Sequence, residues 1–361
     1  MNIALVGGIY GKDESFRRSL QVTPEIVLEQ GFRDRGHRVQ TASHHARIKM
    51  RMCDVIHVHH LGYGALRAGS DSSRTPFVYT SHDGAAMVGL EASKLKLFFS
   101  RWIMARADAV IALSQAEATF QQRTYSLAGA VHEVIPNGIE AKRYPYERRN
   151  AAGKGRAWQL LYVGQLVEQK RVDLLLRAMA LAKVPVELKL AYHNAACEIP
   201  LRRMAAELRL SDRVRFLGPK EPKDLSTLYQ EADLFVQPST AEALPSVVTE
   251  AMLSGTPIVA ADVGGVREQL GGYGVVVCPG QSEALAAGIA QVIEDYEHFA
   301  SESRAMSTRA RRNFSIENMV ENHLELYTKL IRRRWVRRHT ALRAPVNALV
   351  KMGVDLLCAT K

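Results

Sequence analysis

The chain has 361 residues, of which 47% are apolar and 24% charged, so its composition is that of a folded globular protein and excludes a disordered one. No uncharged apolar run approaches the ~20 residues of a membrane-spanning helix, and four scattered cysteines indicate a reducing, cytoplasmic environment without structural zinc. The net charge of +11 is concentrated in residues 331–361, with eight basic residues against one acidic, so a nucleic-acid-binding face is not expected.

Short β-branched runs alternate with longer helical patterns, which predicts parallel α/β units. Asn2–Val6 is too short for the apolar region of a signal peptide and predicts a first strand. The first half contains six predicted strands: Ile3–Val6, Arg38–Ala42, Val55–Val58, Phe77–Thr80, Ala109–Leu113 and Val131–Ile135. The second half contains six more: Gln159–Val163, Val186–Leu190, Arg213–Leu217, Leu234–Gln237, Ile258–Ala260 and Val275–Val277. We therefore expect an α/β fold of two Rossmann-like, doubly wound parallel-sheet domains that face each other across a cleft.

The domain limits follow from changes in composition. Tyr144–Arg156 is polar, contains glycine and has no hydrophobic period, which indicates a linker. We place this linker at 149–157, between an N-terminal domain at 1–148 and a C-terminal domain at 158–310. Residues 331–361 mix arginines with apolar residues and predict a basic amphipathic tail that binds an anionic membrane surface. A solvated helix or a disordered end fits this tail equally well.

Ligands in open α/β sheets bind beyond the carboxyl ends of the strands, so the residues that follow the predicted strands are the first candidates for a site. These candidates are Gly7–Gly8, His82 and Asn137–Gly138 in the first half, and Gly164, Glu242 and Gly264–Gly265 in the second. Two such rims facing each other would form a binding cleft between the domains.

Two glutamates, Glu242 and Glu250, bracket a predicted strand-to-helix turn. The helix is predicted to have Pro245 at its first position and to end before Gly255, so one glutamate lies in the loop and the other inside the helix. The backbone N–H groups of such a turn favour anions, and the carboxylates suit the hydroxyls of a sugar and of a ribose. The pair therefore predicts a nucleotide-sugar site. Solvated surface acids are the alternative, whereas a glycosidase pair would require facing positions around one bond.

A second strand–loop–helix segment carries Gly164 and Lys170. Glycine allows a sharp turn or a close approach of the backbone to a ligand. Lys170 stands near a helix start, where its charge would neutralise a diphosphate together with the helix dipole. An ordinary solvated lysine is the alternative.

Several histidines cluster near the ends of the third and fourth predicted strands. His82 lies just past a strand end on the side of the cleft, which favours a site role over a structural one. Strand alternation puts His57 and His59 on one face and His60 on the other, without a carboxylate at ligand spacing. We therefore expect no metal site, and we expect His59 and His60 to line the acceptor side.

Taken in order, these motifs resemble glycosyltransferase family 4 (glycosyl transferases group 1), retaining enzymes of the GT-B fold, over roughly residues 1–330. The segments that carry the resemblance are Arg35–Val39, Asp54–His59, His82, Ala107–Ser114, Ile135–Ile139, Tyr162–Gly164, Lys170, Leu228–Ser239, the pair Glu242 and Glu250, and Gly255–Gly265.

The resemblance implies a role for each matching residue. Glu250 would hold the donor ribose, and Glu242 would contact the hydroxyls of the donor sugar. Lys170 would hold the diphosphate, with Gly8 or a neighbouring glycine of the first loop facing it from the other domain. His82 would lie beside the sugar, and with Glu242 and Lys170 it would form the catalytic set.

The resemblance also implies further donor contacts and a closing helix. The additional donor-binding residues would be Gly164, Gln165, Arg171, Leu244, Ser246 and Val247. The N-terminal half would bind the acceptor and the C-terminal half the donor. A helix at 311–330 would cross back onto the first domain.

Three positions depart from the family pattern. Gln165 stands where many members have an arginine, which removes one phosphate-binding cation that Arg171 or Arg267 would have to replace. Ala243 stands where glycine is common after the first glutamate. Ser19–Leu20 replaces the usual glycine pair at the first helix, so the N-terminal phosphate contact is open.

Together these observations predict transfer of a sugar from a UDP- or GDP-sugar to an acceptor hydroxyl with retention, in cell-surface polysaccharide or glycolipid synthesis. No Asp-x-Asp motif stands at a strand end, so neither a metal nor a cofactor is expected. The predicted location is the cytoplasm, with peripheral attachment to the inner face of the membrane. A GT-B nucleotide-sugar epimerase and a non-catalytic nucleotide-sugar-binding subunit are the alternatives, and a nicotinamide dehydrogenase is disfavoured because the G-x-G-x-x-G fingerprint is missing.

Overall fold

The computed structural model describes residues 1–13, 23–46, 52–70, 75–82, 87, 94–125, 127, 129–148 and 156–334. Most of the predicted linker at 149–157 and of the predicted tail at 331–361 therefore lies outside the described residues, as does Ser19–Leu20.

Twelve strands are described, and all twelve predicted strands are confirmed to within one residue at each end. The first six are β1 Asn2–Val6, β2 Arg38–Ala42, β3 Val55–His59, β4 Phe77–Thr80, β5 Ala109–Ala112 and β6 Val131–Val134. The others are β7 Trp158–Val163, β8 Val186–Ala191, β9 Val214–Gly218, β10 Leu234–Gln237, β11 Ile258–Ala261 and β12 Val275–Val277. Most are buried apolar runs, as expected for parallel strands covered by helices on both faces.

The described helices alternate with these strands. They are α1 Pro24–Asp34, α2 Tyr63–Ser70, α3 Lys94–Met104, α4 Gln115–Thr124, α5 Val172–Leu181, α6 Glu198–Glu207, α7 Pro222–Glu231, α8 Ser246–Ser254, α9 Val266–Leu270, α10 Ser282–Glu294, α11 Tyr296–Asn313 and α12 at 316–334. Local signals explain several ends: the Ser114 hydroxyl caps α4 by accepting from the N–H of Glu117, and Gly255 ends α8 with φ +74°. Within the described ranges, none of the helices is both long and apolar enough to cross a membrane.

The strands form two separate sheets in which every neighbouring pair is parallel. The first sheet has the order β2-β1-β3-β4-β5-β6, and the second has the order β12-β11-β10-β7-β8-β9. The direction of winding reverses between β1 and β3 in the first sheet and between β7 and β10 in the second. These two switch points are where open α/β sheets bind ligands, so the loops after the four strands define the candidate site.

The last helix belongs to the first domain although it follows the second in sequence. The chain leaves α11 at Phe314, forms a bridge between Ser315 and Ile139, and continues as α12. Buried residues of α12, Val320 and Tyr327 among them, share one apolar core with β1 and with Phe32 of α1. Burial of this apolar surface therefore holds α12 against the first sheet.

The segment after β6 connects the domains in the opposite direction. Tyr144 packs edge-on against Tyr229 of the second domain, with ring centroids 5.8 Å apart. Tyr146 lies 3.2 Å from Ser303 through its hydroxyl, and its ring fills the space beside Gly255. Each domain thus carries a segment from the other half of the chain on its surface.

Candidate active site

Lys170 and Glu242 form the centre of the rim on the second sheet. Lys170 lies in the turn after β7 and Glu242 in the loop after β10, so each follows a strand at the switch point. The Lys170 Nζ atom is 2.5 Å from the Oε1 atom of Glu242, and the two side chains are only 19% and 10% exposed. The structure therefore joins two of the predicted site residues in a largely buried ion pair.

Gln237 is part of the same group, although the sequence did not single it out. Its Nε2 atom donates to Glu242 at 2.7 Å and to the Ser239 hydroxyl at 2.9 Å. The Gln237 side chain is buried, and its Oε1 atom has no hydrogen-bond partner in the described part of the chain. The sequence signal that could have indicated Gln237 is its position as a polar residue at the end of the otherwise apolar strand β10.

The loop that carries Lys170 is fixed by backbone and tyrosine contacts. The N–H of Thr240 donates to the carbonyl of Gln169 at 3.0 Å, which ties the loop after β10 to that after β7. The Tyr162 hydroxyl donates to the Gln165 carbonyl at 2.7 Å, and a Cβ at Gly164 would lie 2.7 Å from that hydroxyl. Packing against Tyr162 is thus one sufficient reason for glycine at position 164. The Gln165 amide lies 3.2 Å from His193.

Arg171 and Arg267, the suggested replacements for a cation at position 165, are both engaged in ion pairs. Arg171 makes two hydrogen bonds to Asp173, at 2.9 and 3.0 Å, and Arg267 lies 2.6 Å from Asp262. The Arg171 side chain lines a cavity of about 700 Å³ beside α6, and the lining of this cavity includes neither Lys170 nor Glu242. Arg171 is thus held by Asp173, two residues further along the chain.

Glu250 occupies a separate, buried position at the domain boundary. Its Oε2 atom accepts a hydrogen bond from the Tyr229 hydroxyl at 2.9 Å. The residue is 8% exposed and lines a small cavity of about 20 Å³ together with Gly138 and Tyr144 from the segment after β6. Burial raises the pKa of the Glu250 carboxyl, in spite of the hydrogen bonds from Tyr229 and Tyr144.

The remaining residues predicted to contact the donor lie in the first turn of α8 and just before it. The helix begins at Ser246 with Pro245 as its N-cap, so the prediction of Pro245 at the first helical position is wrong by one residue. The Pro245 carbonyl accepts from the N–H of Val248, which closes the first turn. Leu244 is buried, whereas Ser246 and Val247 are partly exposed at the helix end that favours anions.

Gly264 and Gly265 pack against the backbone of the loop that carries Glu242. A Cβ at Gly264, whose φ is +54°, would lie 1.9 Å from the Glu242 carbonyl oxygen. The N–H of Gly265 donates to the Ala243 carbonyl at 2.8 Å, and a Cβ there would lie 2.5 Å from the Cβ of Ser114 in the first domain. These contacts explain why both positions are glycine, and no contact with a ligand is needed to explain it.

One hydrogen bond joins the two rims directly. The Oε2 atom of Glu268, in α9, accepts from the backbone N–H of Gln115 at 2.8 Å. Gln115 is the first residue of α4, so the carboxylate lies at the positive end of a helix in the opposite domain.

Gly8 and the histidines form the rim of the first sheet. Gly8 lies in a short turn after β1, and no described atom comes within 4 Å of the position of a Cβ. Packing therefore does not require glycine there, which leaves room for a ligand.

His59, His60 and His82 come together because β3 and β4 are adjacent in the sheet. The Nδ1 atom of His59 is 2.8 Å from Nε2 of His82, and the rings of His60 and His82 are 4.7 Å apart. His60 and His82 have φ values of +64° and +53°, left-handed conformations that concentrate at functional sites in proteins. Glu25, which the sequence did not indicate, is buried beneath them with Oε1 3.3 Å from Nε2 of His60.

Burial keeps His57, His59 and His82 neutral. Burial lowers the pKa of His82 to about 3, and it lowers the pKa of His59 and of His57 well below the usual value. His57 is held by the Tyr327 and Thr80 hydroxyls, at 2.7 and 2.8 Å, which gives it a structural role. Within the described ranges, no group of three or more His, Cys, Asp or Glu side chains is arranged to hold a metal ion.

The two parallel six-stranded sheets, with opposed switch points and α12 returning to the first domain, define the GT-B class of two-domain proteins. Solved structures show the same fold. Sucrose-phosphate synthase from Thermosynechococcus elongatus superposes with a TM-score of 0.78 at 20% identity, over 92% of this chain and 100% of that one. Anabaena Alr3699/HepE in complex with UDP and glucose gives a TM-score of 0.75 at 23% identity, over 91% and 100% of the two chains.

The family follows from the sequence comparisons. Residues 146–313 match glycosyl transferases group 1, and residues 11–143 match glycosyltransferase family 4. The two matches span most of the chain, which therefore belongs to this glycosyltransferase family.

Two similar relatives are D-inositol 3-phosphate glycosyltransferases. The protein from Salinispora tropica is 28% identical over 312 residues, and that from Nocardia farcinica is 30% identical over 302. The matches cover 77% and 76% of this chain, but only 64% and 66% of the relatives, so the chain spans slightly less than two thirds of their length.

Proposed function

We propose that this protein transfers a sugar from a UDP- or GDP-sugar to an acceptor hydroxyl with retention of anomeric configuration. The observation that carries the proposal is the buried Lys170–Glu242 pair at the switch point of the second sheet. The pair places a cation that can bind a diphosphate next to a carboxylate that can bind sugar hydroxyls. The family membership and the UDP and glucose bound by the Anabaena protein support the same chemistry.

Donor binding uses the two members of the pair separately. The Lys170 ammonium turns toward the diphosphate, assisted by the partly exposed first turn of α8. Glu242 then accepts hydrogen bonds from the sugar hydroxyls, while Gln237 keeps its carboxylate in place. Glu250 takes the ribose hydroxyls at the cost of its hydrogen bond from Tyr229.

The transfer step requires no base from the protein. The bond between the anomeric carbon and the diphosphate oxygen breaks, and the acceptor oxygen bonds to the same face of that carbon. The acceptor proton passes to the departing phosphate oxygen. Lys170 stabilises the charge on the diphosphate. His82 is neutral at physiological pH because its pKa is lowered to about 3, so it acts as a hydrogen-bonding group beside the sugar. This chemistry needs no metal or other cofactor.

The acceptor lies on the first domain, near His60 and Gly8, whereas His59, expected from the sequence to line the acceptor side, is 1% exposed and contacts His82 instead. A glycan or lipid-linked acceptor for cell-surface polysaccharide or glycolipid synthesis is the proposed class. The names of the relatives add a phosphorylated cyclitol to the acceptors that an assay should include.

An activity assay on the full chain tests the proposal. A panel of UDP- and GDP-sugars is combined with glycan, lipid-linked and cyclitol phosphate acceptors, and release of the nucleoside diphosphate and the product anomer are measured. Lys170→Ala should lower kcat/KM by at least about 100-fold. Lys189→Ala is the matched control because Lys189 pairs with Glu231 at 2.8 Å in the same domain.

The alternatives give different outcomes in this assay. Conversion of the donor sugar without an acceptor would identify an epimerase. Nucleotide-sugar binding without turnover against the whole panel would identify a non-catalytic subunit, which is the outcome that Gln165 motivates.

We also propose that the protein acts in the cytoplasm, attached peripherally to an anionic membrane surface through its basic tail at 331–361 and through α3. Leu95 and Phe98 are 64% and 60% exposed on α3, beside Lys94 and Arg101. Exposed apolar residues among basic ones suit the interface of an anionic bilayer.

Sedimentation with anionic and neutral vesicles tests the attachment. Leu95→Ser/Phe98→Ser and Arg337→Glu/Arg338→Glu should each reduce binding to anionic vesicles. Ile199→Ser is the control, because Ile199 is 77% exposed but belongs to the second domain. Equal sedimentation of all variants would exclude both parts of the proposed surface.

A further inference from the structure

His59 and His82 share a hydrogen bond, and the surroundings of His59 determine which of the two rings is the donor. The Nδ1 atom of His59 and the Nε2 atom of His82 are 2.8 Å apart, so one of these two nitrogens carries the shared proton. Burial keeps both rings neutral, since it lowers both pKa values. Each ring therefore has one N–H and one unprotonated nitrogen.

The other ring nitrogen of His59 distinguishes the two arrangements. His59 is 1% exposed, and its Nε2 atom has no hydrogen-bond partner among the residues that the structure describes. If His82 donated, His59 would need its proton on Nε2, where a buried N–H would lack an acceptor. If His59 donates from Nδ1, only a lone pair is left without a partner. Buried donors without acceptors are rarer in proteins than acceptors with an unused lone pair.

We infer that His59 is a positioning residue that fixes His82 in the tautomer with its proton on Nδ1, so that His82 presents an N–H donor to the ligand. The Nδ1 atom of His82 makes no hydrogen bond within the described structure, and the side chain is partly exposed at the end of β4. Its acceptor is a sugar hydroxyl or phosphate oxygen of the donor or acceptor substrate, an identity that rests on the proposed function.

The position of the His82 ring is fixed as well as its tautomer. The His59 and His82 rings are nearly parallel, with centroids 5.1 Å apart, and the His60 ring contacts His82 at 4.7 Å. His60 is itself held by the buried Glu25 carboxylate at 3.3 Å. A donor whose orientation is fixed before the substrate arrives loses less entropy on binding.

The tautomer can be observed without any assay of activity. In ¹⁵N-histidine-labelled full-length protein, protonated and unprotonated ring nitrogens have well separated shifts, and the His82→Gln spectrum assigns the His82 signals. We expect a protonated Nδ1 and an unprotonated Nε2 for both His59 and His82. A protonated Nε2 on His82 would overturn the inference and leave the proposed function intact.

Two nearly isosteric variants test the positioning role. In His59→Asn an amide N–H can still donate to His82, so kcat/KM should stay within about threefold of the wild type. In His59→Asp only acceptors remain, so the ¹⁵N pattern of His82 should reverse and kcat/KM should fall by about tenfold or more. His298→Asn, at a site that is 52% exposed, is the control.

Each outcome of the variant experiment is decisive. An unchanged ¹⁵N pattern of His82 in a folded His59→Asp protein would contradict the inference, and so would equal losses of activity in both variants. If His59→Asp does not fold, the wild-type spectrum still decides the tautomer. If the tautomer is as expected but neither a nucleotide sugar nor an acceptor of the panel shifts the Nδ1–H signal, the substrate contact assigned to His82 is wrong, whereas the His59–His82 arrangement stands.

Discussion

The Lys170 ammonium and the Glu242 carboxylate are in contact at 2.5 Å although they are 72 residues apart in the chain. Their contact joins the loops after β7 and β10 at the switch point of the second sheet. The ion pair thus has two roles, since it stabilises the fold locally and presents the charges that the proposed reaction uses.

Reversing the pair should separate these two roles. We expect Lys170→Glu to lower the free energy of unfolding by about 3 kcal/mol, because it leaves two carboxylates in a largely buried site. Adding Glu242→Lys should restore part of that stability but none of the activity, because the cation no longer occupies position 170. Urea denaturation and the transfer assay measure the two effects. Recovery of activity in the reversed pair would contradict the assigned roles.

Gly264 should be intolerant of any side chain. Gly264→Ala should destabilise the protein by at least about 3 kcal/mol, because its Cβ would collide with the Glu242 carbonyl oxygen in a left-handed conformation. Gly280→Ala is the matched control: Gly280 also has a positive φ, +79°, but no described atom near its Cβ position. The control should cost only about 1 kcal/mol, as measured by urea denaturation. Equal costs would show that backbone strain alone explains both.

Glu250 should make stability depend on pH. Its pKa is raised in the folded protein because the carboxyl is buried, so the folded state binds the proton more tightly than the unfolded state. The free energy of unfolding should therefore fall as the pH rises from the pKa of the unfolded state, about 4.3, through the raised pKa of the folded state. At higher pH it should level off. Thermal midpoints of wild type and Glu250→Gln across this range measure the effect. The thermal midpoint of Glu250→Gln minus that of the wild type should increase as the pH rises. A difference that stays constant would contradict the prediction.

The hydrogen bond from Gln115 to Glu268 should favour the arrangement of the two domains seen in the structure. Glu268→Ala should change the stability by less than about 1 kcal/mol, because the pair is exposed. It should nevertheless enlarge the radius of gyration in small-angle X-ray scattering and raise KM for the donor. Glu294→Ala, in an exposed position on α10, is the control. Identical scattering from both variants would mean that other contacts determine the domain arrangement.

Sequence alone determined the twelve strands and the class of fold. A buried parallel strand needs a short apolar run and its crossover needs a helical period, and both patterns are local. Sequence also pointed to Lys170, Glu242 and His82, since each follows a predicted strand and ligands bind at strand ends.

Only the tertiary structure decided how those residues are paired. Tyr229 and Glu250, Gln237 and Glu242, and Glu25 and His60 meet through contacts that no local pattern encodes. The structure also pairs Arg171 with Asp173, whereas the sequence suggested that Arg171 could bind a phosphate. Hydrogen bonds and ion pairs act over a few ångströms, so they depend on which loops the sheets bring together. That arrangement follows from the packing of the whole chain.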